Sequence, residues 1–171
     1  VTDPLTHGTV AAELVDTLRE RGLTVAVAES LTGGLLSATI AGVPGASDVL
    51  RGGVVVYATD LKSQLGGVDP GVLAAEGPVS ANTARQLAIG AARNLNADWG
   101  VSLTGVAGPD PQDGHAPGTV FCGFARRRAL SDELDSREWE LHGDRWEIRL
   151  TSARRALEEL LARVRRDGGR R

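Results

Sequence analysis

Four short runs of apolar and β-branched residues constrain this chain more than any other feature. They are TVAVAE at 24–29, GGVVVYA at 52–58, WGVSLTG from 99 and GTVFCGFA from 118. So few polar residues interrupt them that each reads as a strand needing cover on both faces. REWELH at 137–142 alternates instead and reads as a fifth strand with one wet face. Between the runs the spacing becomes helical. Val10, Leu14 and Leu18 make one stripe over 10–21, which Gly22 stops, and TGGLLSATIAG after Ser30 is a helix ended by Gly42, Pro44 and Gly45. Ser80 is placed to cap ANTARQLAIGAARNLNA, where Ala84, Leu87, Ala88, Ala91 and Leu95 keep one face apolar. Asp144 and Glu147 have capping-box spacing before a last helix with a stripe of Ala153, Leu157, Leu160, Leu161 and Val164. Strands alternating with helices predict an α/β fold, a three-layer α/β/α arrangement around a mostly parallel central sheet. That sheet is expected from residues near 24–29, 52–58, 99–105 and 118–126. No repeat or linker divides the chain, so residues 1–171 read as a single domain with its core over about 8–165.

The 171 residues are enough to bury roughly two-thirds of the unfolded surface. Aromatics are only 4% of the chain, so the core must be built from small aliphatics. A net charge of −3 removes the electrostatic case for nucleic-acid binding. The basic tail RVRRDGGRR reads as a solvated, frayed helix end. No apolar run approaches the ~18 residues of a membrane span, and no secretion signal is visible, although the chain begins at Val1. The expectation is a cytoplasmic protein without membrane contact. Cys122 lies in an apolar run and reads as a core thiol. His7, His115 and His142 are scattered without metal-ligand spacing, so neither a metal nor another cofactor is expected.

Three segments could carry chemistry. AESLTGG at 28–34 leaves a strand through two hydroxyl residues and a glycine pair, which makes either an ordinary cap and turn or an anion site of free amides. TGVAGPD at 104–110 also leaves a strand, and ligands gather at such carboxyl ends. The two exits reinforce each other only if their strands are neighbours. Asp110, Asp113 and His115 beyond the second exit read as a solvated loop before metal ligands. VPGAS at 43–47 and YATDLK at 57–62 bracket the second strand, with Ser47 and Lys62 fifteen positions apart. A lysine can activate a serine if burial or nearby positive charge keeps its amine neutral. By themselves, however, the two read as a turn serine and a surface lysine.

Taken together and in order, AESLTGG, VPGAS, GGVVVYATDLK, GPVSANTARQLAIGA, TGVAGP, GTVF and HGDRWEIRLTSARRAL resemble the CinA C-terminal-domain family over about residues 8–165. That family comprises the competence/damage-inducible protein CinA and stand-alone nicotinamide-mononucleotide amidohydrolases. The resemblance implies conversion of nicotinamide mononucleotide and water to nicotinate mononucleotide and ammonia, without a metal, in a homo-oligomer, dimer or higher. It places the catalytic serine, tyrosine and lysine on Ser47, Tyr57 and Lys62, with Ser47 as nucleophile and Lys62 as base. Arg145 would position the substrate. Ser30, Thr32, Gly33 and Gly34, with Thr104, Gly105 and Gly108, would hold ribose and phosphate and offer amides to the oxyanion.

Three positions depart from the family pattern. Leu31 replaces a common cysteine, Thr59 a frequent asparagine, and an acidic DPQDGH follows Pro109 where glycines and threonine are usual. An acidic loop would repel a phosphate. The Leu31 change bears on packing, whereas Thr59 and the acidic loop leave a non-catalytic nucleotide-binding or regulatory domain as the alternative, alongside an amidase for another small amide.

Overall fold

A computed structural model describes residues 3–168. Along the chain come α1 (Ala11–Glu20), β1 (Val25–Glu29), α2 (Leu35–Ala41), a 3-10 turn (Ala46–Asp48), β2 (Leu50–Val55), α3 (Thr59–Gln64), α4 (Pro70–Glu76), α5 (Ala81–Asn94), β3 (Trp99–Gly105), β4 (Thr119–Arg126), β5 (Glu133–Glu140) and α6 (Arg145–Arg166). The five strands form one sheet in the order β2-β1-β3-β4-β5. β1 pairs in parallel with β2 and with β3, whereas β3–β4 and β4–β5 are antiparallel.

The sheet is therefore mixed, which corrects the expectation of a mostly parallel one. The reason lies in the connections. A parallel neighbour needs a crossover of a dozen residues or more, usually helical. α2 supplies it between β1 and β2, and α3 to α5 supply it between β2 and β3. Residues 106–118 and 127–132 contain no helix, so β4 and β5 return antiparallel.

Helices cover both faces. Leu14 and Leu18 of α1, Leu36 and Ile40 of α2, and Leu157 and Leu160 of α6 bury one face against Val27, Val101, Leu103 and Phe124. On the other, Leu87 and Ala91 of α5 close over Ala26 and Ala28, with Leu73 of α4 at the margin. β1 is buried at every position, as its continuous apolar run leads one to expect. β2, at the edge of the sheet, alternates between half-buried and exposed, which corrects the expectation that its run is covered on both faces. β5 is exposed at most positions. α5 begins at Ser80, whose side chain accepts from the Thr83 N–H at 3.1 Å. α6 begins with the reciprocal box of Asp144 and Glu147. α3 and α4 were not expected; Asp69 caps α4 with Pro70 in its first turn, a start signal within a short stretch of weak periodicity.

The tail departs from its reading as a frayed end. α6 runs to Arg166, and Arg163 is buried with its guanidinium 3.8 Å from the Phe124 ring centroid. Asp167 is also buried, 2.7 Å from Arg126 and 2.8 Å from Arg128. Residues 169–171 of that tail lie outside the described residues. Cys122 is fully buried, and burial pushes its thiol well above the usual range. Among the described residues no helix is long and apolar enough to cross a membrane.

Candidate active site

Because β2 and β3 both run parallel to their neighbour β1, all three release the chain at the same end of the sheet. Ser30 follows β1, Tyr57 and Lys62 follow β2, and Thr104 to Gly108 end β3 and continue past it. The two glycine-containing exits thus belong to adjacent strands. They border a cleft of about 100 Å³ lined by Ser30, Tyr57, Lys62, Thr104, Gly105, Gly108 and Arg145, together with Leu31, Asp110 and Gln112. A larger hollow of about 440 Å³ lies beside Trp99 and Arg163, but Arg126, Arg163, Asp135 and Asp167 within it are already paired with one another.

Lys62 is only 2% exposed. Its Nζ lies 2.9 Å from the Val56 carbonyl, 3.3 Å from the Tyr57 carbonyl and 3.1 Å from the Ser30 hydroxyl. Burial lowers its pKa to about 8, partly offset by the negative charge of Asp113. As an ammonium Lys62 donates to all three oxygens; a neutral amine there would keep two N–H bonds for the carbonyls and have a lone pair free to accept from the Ser30 hydroxyl. Ser30 is itself fixed, because its backbone N–H donates to Leu103 O of β3 at 2.9 Å.

Ser47 is not at this site. It is an exposed residue of the 3-10 turn that precedes β2, whereas Lys62 comes after β2. A strand of six residues separates the two levels by roughly 20 Å. The serine that meets Lys62 is Ser30, expected only as a substrate contact.

The Ser30–Gly34 turn is held from within. Glu29, fully buried, accepts hydrogen bonds from the N–H groups of Gly34, Leu36 and Ser37 at 3.1, 3.0 and 2.8 Å, and from the Ser37 hydroxyl at 2.6 Å. α2 has no side-chain cap at Gly34, which takes φ 103°, so Glu29 satisfies its first turn instead. Of the amides expected to hold phosphate near Thr32, Gly33 and Gly34, that of Gly34 is thus committed to Glu29 and that of Gly33 to the Ser30 carbonyl at 3.0 Å. Arg149 adds hydrogen bonds to the carbonyls of Leu31 and Thr32. Thr32 is fully buried, and none of Thr32, Gly33 and Gly34 lines the cleft.

On the β3 side, the Thr104 hydroxyl donates to Pro78 O at 2.6 Å and is engaged in holding that segment. Gly105 pairs with Val120, and a Cβ there would press on Thr119 O and Val120, so its place is explained by strand pairing. Arg145, the first residue of α6, bridges the mouth: one Nη donates to Gly108 O at 2.6 Å and the other to the Tyr57 hydroxyl at 2.8 Å. Sequence reasoning missed Glu29, whose only signal was a carboxylate ending an apolar strand. It read Asp110 as solvated loop, and Asp110 stands at the cleft.

The chain is similar to proteins of several bacteria. It is 47% identical over 141 residues to a CinA-like protein of Frankia casuarinae, covering 82% of this chain and 32% of that one. A CinA-like protein of Synechocystis is 41% identical over 157 residues, 91% of this chain and 38% of that one. The chain thus spans about a third of the length of these relatives. Among solved structures, competence/damage inducible protein CihA of Agrobacterium tumefaciens superposes with a TM-score of 0.84 at 34% identity, covering 90% of this chain and 92% of that one. A competence or damage-inducible protein of Enterobacter asburiae gives 0.82 at 30% identity, covering 90% and 98%. With the family model for the CinA C-terminal domain matching residues 7–164, the chain belongs to the CinA C-terminal domain family.

Proposed function

We propose that this protein hydrolyses the carboxamide of nicotinamide mononucleotide, with Ser30 as nucleophile and Lys62 as general base. The observation that carries the reading is the buried Lys62 amine, lowered to about 8 and 3.1 Å from the Ser30 hydroxyl. Serine attacks an amide only if a neighbour takes its proton, and a neutral lysine can do so. As Ser30 Oγ bonds to the carboxamide carbon, its proton passes to Lys62. The ammonium then returns that proton to the departing nitrogen, the C–N bond breaks and ammonia leaves. Water, deprotonated by the same amine, cleaves the resulting ester, and Ser30 regains its proton as nicotinate mononucleotide is released. The Leu31 N–H lies at the residue after Ser30, borders the cleft and has no partner among the described residues. We assign it to the oxyanion. Tyr57 and Arg145, hydrogen-bonded to each other in the same cleft, orient the substrate. The pyridine nucleotide itself is proposed from family membership.

Ammonia release from nicotinamide mononucleotide, nicotinamide riboside and nicotinamide tests the substrate. Ser30→Ala should lower turnover at least ~10³-fold, while Ser47→Ala retains most of it. Turnover by Ser30→Ala close to wild type overturns the assignment. Loss confined to Ser47→Ala would return the nucleophile to the turn before β2.

A further inference from the structure

The loop after β3 brings a carboxylate to a cleft whose two other charge-bearing side chains, Lys62 and Arg145, are basic. Asp110 lines the cleft with Arg145 and Lys62, and its carboxylate has no hydrogen bond or ion pair among the described residues. Arg145 is already engaged with Gly108 O and the Tyr57 hydroxyl, so it does not neutralise Asp110 by direct contact. Lys62 must be uncharged when it acts as a base. In that working state the cleft holds one fixed cation, Arg145, and one uncommitted anion, Asp110. Asp113 adds a second negative charge close enough to be felt at Lys62. A ligand with a positive charge beside its carboxamide fits this balance, and a phosphate beside Asp110 does not.

We infer that Asp110 is a specificity-determining residue that selects carboxamides on a cationic, N-substituted pyridinium ring, with any phosphate directed away from residues 110–113. The inference rests on the amidohydrolase reading. It adds a demand that reading does not make: the ring charge is itself recognised. A cationic ring also withdraws electrons from the carboxamide carbon, so the favoured substrate is the one more open to attack.

The test compares two ligands that differ mainly in ring charge, nicotinamide mononucleotide and its reduced form, whose ring is neutral. Binding is measured calorimetrically at low ionic strength to Ser30→Ala and to Ser30→Ala with Asp110→Asn, so that turnover does not consume the ligand. Asp110→Asn should weaken the cationic ligand about three- to tenfold and leave the neutral one within about twofold, a difference that shrinks with added salt. Asp110→Glu should restore the preference. Equal weakening of both ligands, or no change in either, overturns the inference. The two readings fail separately. If wild type releases no ammonia from nicotinamide mononucleotide while Asp110 still sets the charge preference, the amidohydrolase reading falls and the inference stands. Ammonia release without charge preference does the reverse.

Discussion

Lys62 lies in a site that excludes most water, and that burial makes its proton easy to lose. A fall from 10.5 to about 8 corresponds to about 3 kcal/mol against the charged form in the folded state. Between those two values the unfolded chain binds more protons than the folded one, so stability gains from Lys62 as pH rises through that window. Unfolding of wild type and Lys62→Met by guanidinium at pH 8 and pH 10 should show wild type gaining about 2 kcal/mol relative to the variant. Activity depends on the same group: kcat/KM should rise as pH approaches 8 and level above it. Asp113 raises the lysine's pKa, so Asp113→Asn should move that limb to lower pH. An unmoved limb would mean that the Asp113 charge is not felt at the base. Of the residues that line the cleft, Tyr57, Lys62 and Arg145 were among those the resemblance named. Ser30 was legible only as a contact, because no local pattern tells which of two serines a lysine will face.

At the scale of elements, two helices show two ways of satisfying a first turn. α6 uses Asp144 and Glu147, three residues apart, and was readable from those letters alone. α2 uses Glu29, whose donors lie five to eight residues further on, across a turn that no periodicity reveals. The costs of losing them should differ. Asp144→Ala should lower stability by about 1 kcal/mol, the usual value for a lost cap. Glu29→Ala leaves several buried donors without an acceptor and should cost about 2–4 kcal/mol, measured in the same denaturant series. It should also reduce turnover through the displaced Ser30 turn. Equal costs for the two would show that the α2 turn relaxes and finds other partners.

For the whole molecule, the sheet has two unlike halves. β1, β2 and β3 are joined through helices and share the end that carries the cleft, while β4 and β5 fold back and bring Arg126 to the end of α6. Hydrogen bonds from Arg128 and Arg126 hold the Asp167 carboxyl below the usual range although burial pushes it up. A depressed carboxyl stabilises the fold above its unfolded pKa and loses that contribution as pH falls through the folded one. Asp167→Asn leaves the buried Arg126 without its closest anion and should destabilise the protein by about 2–4 kcal/mol at neutral pH. The difference from wild type should narrow in acid. A constant difference down to low pH would show that the charge of Asp167 contributes little.

The sequence by itself determined the α/β class, the four apolar strands, the faces of α1, α5 and α6, and the family. These rest on periods of two and 3.6 residues, on capping pairs, and on motifs written within a few neighbouring positions. Only the tertiary structure decided that the sheet is mixed and that Lys62 meets Ser30. It also showed that Glu29 occupies the α2 terminus and that the tail packs against Phe124. Each of these depends on which strands lie side by side and in what direction, and strand pairing joins residues dozens of positions apart. Ser30 and Lys62 come together because β1 and β2 are parallel neighbours that end together, and Ser47 is left behind because it precedes the strand that Lys62 follows.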